Sequence, residues 1–249
     1  MSPAPPASRA SAPAGAGARP AAAPARLPGA AALPASGRYA IFHAGIESGE
    51  ERWSVEPAAD GGVVARGEQV LRAPHPFASD LEWRARLSPE GRVCALEVDW
   101  RVGMRSLRAE HATEGGRWHA RIAYGGHARE QEGDFPSYAE VAFGSHVLHV
   151  IVFRRYELTP GAAHEFPVLN IGPPWFAAEP GRQRLACTAV GERGTPAGRS
   201  SARLIEVSDP GGAVPPFAAW VDEDGVVIES YEDTRSFEPW MRLVEYQRA

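Results

Sequence analysis

Leu81-Glu82-Trp83-Arg84-Ala85-Arg86-Leu87 is the run whose reading decides the fold. Leu81, Trp83, Ala85 and Leu87 alternate with Glu82, Arg84 and Arg86, the period of two that marks a strand with one buried and one wet face. Ser88-Pro89-Glu90-Gly91 supplies turn chemistry, and a second run follows from Val93 to Arg101. There Cys94, Leu96, Val98 and Trp100 share one face while Glu97 and Asp99 take the other. The pair is a hairpin, and it poses a question about faces. If the concave side carries Glu97 and Asp99, the hairpin carries chemistry; if it carries Trp100, the hairpin is wall. The alternation predicts wall.

Working outward, the same texture recurs. Strands are predicted at Arg38 to His43, Glu51 to Glu56 (Trp53 and Val55 on one side) and Val63 to Arg72. Gly45 to Gly49 and Asp60-Gly61-Gly62 are read as the turns between them. Ser106 to Thr113 and Arg117 to Tyr124 form another hairpin, with a short polar strand at His127 to Glu132. The second half reads as His164 to Ile171, Arg182 to Glu192, Gly198 to Ser208, Phe217 to Val221, Val226 to Tyr231 and Trp240 to Tyr246. Between the halves the rhythm breaks. Ala139 to Tyr156 places Val141, Ser145, Leu148, Val152 and Arg155 near one helical stripe. This predicts a helix N-capped near Ser137, with Glu140 at capping-box spacing; the β-branched run at Val150 to Phe153 makes a strand the alternative. The expected architecture is mainly β: an antiparallel, incompletely closed β-barrel or strongly curved sheet with one covering or plugging helix.

The chain has 249 residues, of which 44% are hydrophobic, enough for a substantial core. Residues 1–36 are almost wholly Ala, Pro, Gly, Ser and Arg, so a disordered tail is expected there and a single antiparallel β domain over 37–249. Prolines interrupt every block that would serve as a secretory signal, which points to a cytoplasmic protein. No apolar run approaches the length of a membrane span, so no integral membrane segment is expected. The net charge of -5 argues against a nucleic-acid partner. Every basic side chain other than histidine is Arg, a pattern that codon bias explains. Cys94 and Cys187 both fall at apolar strand positions and read as free thiols, with a cross-strand disulfide the alternative.

Reaction motifs are missing. There is no Gly-x-Ser-x-Gly elbow, no phosphate-binding glycine loop and no completed metal signature, so no cofactor is called for. His146 and His149 would share a helix face, but two ligands do not make a metal site. Glu97 and Asp99, or His111 and His119, would serve as acid and base only if they faced a cavity. Arg154, Arg155 and Tyr156 at the helix end suit either an anionic headgroup or the helix dipole.

The aromatic residues say more. Trp53, Trp83, Trp100, Trp118, Trp175, Trp220 and Trp240 are spread over most of the predicted strands. Inward residues of a curved sheet line a common interior, so such side chains wall one apolar cavity or fill one core. The candidate ligand-binding residues are Trp53, Trp83, Trp100, Trp118, His146, His149, Tyr156, Trp175 and Trp220, and the expected partner is a lipid or other hydrophobic small molecule. A cofactor-free cyclase or isomerase acting on a polyketide- or terpenoid-like substrate is the alternative, and an interaction or scaffold protein a third.

The order of runs carries a resemblance. Gly45 to Trp53, Leu81 to Leu87 and Val93 to Arg101 are followed by Asp134-Phe135-Pro136 and the amphipathic stretch. Then come Val168-Leu169-Asn170, Arg203-Leu204-Ile205-Glu206 and Ala219-Trp220-Val221-Asp222 with Gly225. Over nearly all of 37–249 this resembles the glycolipid-binding and related uncharacterised bacterial families whose fold is similar to the lipoprotein carriers LolA and LolB. The resemblance implies an incompletely closed barrel wrapped around a helix, an apolar ligand cavity and work in the bacterial envelope. The chain departs from those families in having no recognisable export signal or lipobox cysteine.

Overall fold

A computed structural model describes residues 36–137, 139–156, 158–212, 215–232 and 238–247. Apart from Ser36, which opens the first strand, the tail expected at 1–36 lies outside the described residues. The first half is a run of eight strands: β1 (Ser36–His43), β2 (Ile46–Pro57), β3 (Val63–Leu71), β4 (Ser79–Leu87), β5 (Val93–Val102), β6 (Arg105–Glu114), β7 (Arg117–Tyr124) and β8 (His127–Asp134). A short β9 (Glu140–Phe143) and the helix α1 (His146–Arg155) follow. The second half is β10 (Ala163–Gly172), β11 (Ala177–Thr195), β12 (Gly198–Ser208), β13 (Phe217–Asp222), β14 (Val227–Tyr231) and β15 (Met241–Gln247).

All fifteen strands form one sheet, in the order β8-β7-β6-β5-β4-β3-β2-β1-β15-β14-β13-β12-β11-β10-β9. Each half is a meander, and β1 joins them by pairing with β15. Every pairing is antiparallel except β9 with β10. The sheet curls without closing. Near its open seam the Ala178 N–H of β11 donates to Gln131 Oε1 of β8 at 3.3 Å.

The inward rows explain the curl. Gly37, Trp53, Gly67 and Trp83 stand side by side across β1 to β4. A Cβ built on Gly67 would come within 2.4 Å of the Trp83 indole, and one on Gly37 within 2.4 Å of the Trp53 ring. Trp118 lies over Gly133 of β8 in the same way, at 2.7 Å. Only glycine lets an indole lie this close to the neighbouring strand. These tryptophans are wall and filling together.

The opening hairpin is wall as expected. Leu81, Trp83, Ala85, Leu87, Leu96 and Val98 are buried, while Glu97 and Asp99 are exposed opposite Arg84 and Glu82 in the β4–β5 ladder. Two expectations need correction. The turn expected over Gly45 to Gly49 is only Ala44 and Gly45, both at positive φ (49° and 73°), and β2 already begins at Ile46. A two-residue turn of that kind keeps both strands paired to its edge.

The helix also starts later than its capping-box spacing suggests. Glu140 to Phe143 pair in parallel with Val168 to Ile171, so Val141 and Phe143 extend the sheet. An available strand edge outweighs a local cap signal here. Ser145 is the actual N-cap, its Oγ accepting from the Val147 N–H at 3.2 Å. The helix is also not amphipathic. Nine of its ten residues are buried, all but Arg154, as befits a helix enclosed on every side.

Two buried carboxyls hold α1 in place. At its N-terminal end Trp83 Nε1 donates to Glu51 Oε1 at 3.1 Å, and the Ser145 hydroxyl also bears on that carboxyl. At its C-terminal end the Arg155 guanidinium meets Glu140 at 2.5 Å and the Gly91 carbonyl at 2.9 Å. Burial raises the Glu51 pKa from 4.5 to about 7, against the two hydrogen-bonding partners that lower it.

Two measurements check this packing. Gly67→Ala forces the Trp83 indole off the sheet and is expected to lower the urea midpoint by the equivalent of about 1–3 kcal/mol, with the m-value unchanged. For Glu51, the unfolded chain loses the proton near its ordinary pKa while the folded chain keeps it up to about 7. Stability contributed by this group therefore falls as pH rises through that interval. Glu51→Gln is expected to match the native protein near pH 5 and to exceed it near pH 8 by on the order of 2–3 kcal/mol in denaturant titrations. Equal stabilities at both pH values would show that Glu51 ionises freely in the folded state.

Candidate functional site

Hairpin geometry brings several turns to one end of the sheet. The β1–β2 turn, the β3–β4 loop, the β5–β6 and β7–β8 turns and the β10–β11 turn all lie there, as the ladder registers require. The N-terminus of α1 points to the same end, because β9 runs parallel to β10 and the chain turns back through Gly144 and Ser145. Between α1, β9, β10 and the start of β11 lies a cavity of about 450 Å³.

Its apolar wall includes Phe143, Ile171, Trp175, Phe217 and Trp240. The polar groups on it are Asn170, Gln183, Glu179, His146 and His149. Among the described residues no arginine lines it. The β10–β11 turn, Gly172-Pro173-Pro174-Trp175, forms one lip; Phe176 behind it takes a positive φ of 51° and is buried. A second cavity of about 190 Å³ lies on the other side of Trp175, lined by Trp100, Leu107 and Tyr124 among others.

Both helix histidines are neutral at neutral pH. Burial pushes His149 down from 6.5 to about 4, although its contact with the Ser145 carbonyl works the other way. His149 Nδ1 lies 3.3 Å from that carbonyl, an arrangement in which Nδ1–H donates and Nε2 is left as acceptor. His146 is pushed well below its ordinary value by burial and then by its neighbour His149. Its Nε2 is 2.8 Å from Ser230 Oγ, and its ring sits 5.0 Å from the Trp240 ring and 5.7 Å from that of Phe217. Behind it, Tyr39 Oη, Trp53 Nε1 and His146 Nδ1 are buried without hydrogen-bond partners among the described residues.

The structure gathers only some of the candidates. His146, His149 and Trp175 line the larger cavity, and Trp100 and Trp175 the smaller. Trp53, Trp83 and Trp118 are packed into the core over glycines. Trp220 lies on the outer face with Ala202 and Ile228, under the Arg193 guanidinium at 3.5 Å. Plain alternation accounts for this: Ala219 and Val221 join the main core, and Trp220 between them takes the other face. Tyr156 stacks on Phe166 at 4.5 Å near the far end of α1, next to the buried Arg155. Arg154 is likewise engaged, with the Asp224 carbonyl. His111 and His119 point to opposite faces, His111 buried with its pKa lowered to about 4 and His119 exposed 3.5 Å from Glu132. Cys94 and Cys187 are free. No cluster of three or more His, Cys, Asp or Glu suited to a metal occurs among the described residues.

Sequence reasoning missed Trp240, Phe217, Asn170, Gln183 and Glu179 at the cavity, and Glu51 behind it. Glu51 was legible: it shares parity with Trp53 and Val55 on β2 and so faces inward with them. Asn170 likewise shares parity with Phe166 and Val168 on β10, and Gln183 with Leu185 and Cys187 on β11; Phe217 and Trp240, at or just before the start of a strand, carried no such signal.

No protein-family model matches the sequence, and no curated protein matches it. Two solved structures are similar in fold. A β-barrel-like protein of the domain of unknown function DUF1849 from Brucella abortus is 9% identical, with a TM-score of 0.54 over 86% of this chain and 96% of that one. A DUF1089 family protein from Pseudomonas aeruginosa is 16% identical, with a TM-score of 0.49 over 73% of this chain and 89% of that one. The chain is thus a large curved sheet of β-barrel-like kind, similar in fold to a bacterial domain of unknown function.

Proposed function

We propose that the protein binds a hydrophobic or amphipathic small molecule, such as a lipid, in the 450 Å³ cavity beside the N-terminus of α1. The observation that carries this is the composition of the wall: mostly aromatic and aliphatic side chains with a few polar groups, the usual make-up of a small-molecule site. At ~30 Å³ for each water, the space equals about fifteen waters, enough for a substantial apolar moiety. Among the described residues the wall carries the Glu179 carboxyl and no arginine, and both histidines are held neutral by burial, which favours a ligand whose polar end is not an anion. The resemblance to glycolipid-binding bacterial families of LolA/LolB-like fold supports a lipid with an uncharged, hydroxyl-bearing head.

A second reading, a cofactor-free isomerase or cyclase, is favoured by one observation: His146 and His149 both stand on the cavity wall. Glu97 and Asp99 are out of reach on the solvated face.

The neutral probe N-phenyl-1-naphthylamine tests the binding reading. Saturable uptake with enhanced fluorescence is expected, and Ala177→Trp at the cavity edge is expected to weaken it by about tenfold or more without changing the far-UV spectrum. Absence of saturable uptake by the native protein would defeat the proposal.

A further inference from the structure

Among the described residues, the exposed large hydrophobic side chains are Ile46, Phe77, Met104, Trp175 and Val190. Four of them belong to one end of the sheet. Ile46 pairs with His43 at the β1–β2 turn, Met104 sits in the turn closed by Val102 and Arg105, and Trp175 tips the β10–β11 turn. Phe77 lies in the β3–β4 loop, which Leu71 and Ser79 close. Ring contacts tie these turns together: His43 and His75 lie 5.6 Å apart, His75 and Phe77 6.2 Å, and Tyr124 and Trp175 5.6 Å. This is the end at which Trp175 forms the lip of the cavity. The opposite end is different in kind. Its hairpin turns are Asp60-Gly61-Gly62, Ser88-Pro89-Glu90-Gly91, Glu114-Gly115-Gly116, Thr195-Pro196-Ala197-Gly198 and Glu223-Asp224-Gly225, and none shows an exposed large hydrophobic residue; Val190 lies on β11 itself, five residues before its turn.

We infer that the cavity end docks on a lipid bilayer surface, with Ile46, Phe77, Met104 and Trp175 inserting between headgroups around the mouth. The inference rests on the binding reading for its purpose, since a poorly soluble ligand is exchanged where it is dissolved. The tips themselves favour a bilayer over a protein partner. Each is a single large side chain on its own turn, flanked by residues such as Gly45, Pro76, Gly103 and Pro174. A protein interface buries a contiguous packed patch, whereas shallow insertion into an interface needs only separate apolar points. Tryptophan in particular suits the headgroup level.

Charge is a minor part of the fit. Among the described residues this end has no excess of positive charge: Arg72 is held by Asp80 at 2.7 Å, and Arg105 stands against Glu47, Asp209, Glu232 and Glu238. Docking is therefore driven by apolar insertion, and added salt leaves it largely intact.

Sedimentation of the full chain with phosphatidylcholine vesicles, with and without phosphatidylglycerol, tests this. The native protein is expected to bind both at low and high salt. Phe77→Ser and Met104→Ser are each expected to weaken binding about threefold to fivefold, and together by about tenfold or more. Neither residue lines a cavity, so uptake of N-phenyl-1-naphthylamine from solution is expected to stay unchanged in the double variant. No vesicle binding by the native protein, undiminished binding by the double variant, or binding abolished by salt would each overturn the inference. So would a native dimer that the double substitution turns into a monomer, since the tips would then be an interface between copies. Vesicle binding as expected without probe uptake would uphold the docking surface and remove the cavity reading alone.

Discussion

A ten-residue helix gives the inner face of a fifteen-stranded sheet something to pack against, and two buried carboxyls fix it there. Glu51 meets the helix beginning through Ser145 and Trp83; Glu140 meets its end through Arg155. Neither contact is a gain in stability over a well-packed apolar substitute, because desolvating a charge costs about as much as the pairing returns. Their consequence is positional. A helix that is apolar all round can slide or rotate in an apolar interior, and buried polar partners at both ends remove that freedom. The seating of α1 in turn decides which side chains reach the cavity, since His146 and His149 occupy its first turn.

The interior is filled at one place and hollow at another, and the two have different causes. Across β1 to β4, and again at β7 and β8, indoles lie flat over glycines of adjacent strands and leave little space. Towards the turn-bearing end, β10 and the first residues of β11 run past the helix, and Gly144 and the Gly172 to Trp175 lip bring small or rigid residues to the rim. Space opens where the filling side chains stop. Aromatic content therefore does not by itself mark a ligand site: Trp83 and Trp175 are both large and apolar, but one is core and the other lip.

How much of this was legible follows from how local each signal is. Nearly every strand is a sheet neighbour of the next one in the chain, so alternation and turn chemistry determined most of the ladder directly. Glu51 could have been assigned inward by counting two back from Trp53. Other features needed information from afar. Glu140 to Phe143 read as helix because nothing nearby announces that β10 offers a free edge. Trp220 read as an interior residue because Ala218 to Val221 is apolar on both faces, so alternation does not say which face is inward; Ala219 and Val221 take it, and Trp220 faces out. The cavity depends on three loops meeting, which no periodicity encodes.

The ionisation of the cavity wall bears on what the site can do. A general acid or base works best with a pKa near the working pH. Burial instead drives His149 to about 4 and pushes His146 well below its ordinary value, so at neutral pH roughly one His149 in a thousand carries the second proton. Neither imidazole can serve as a proton donor of consequence there, and each is a weak base. The nearest group tuned to neutrality is Glu51, at about 7, but it is fully buried and already engaged by Trp83 and Ser145. Two neutral imidazoles in a largely apolar wall suit holding a ligand better than moving protons on it.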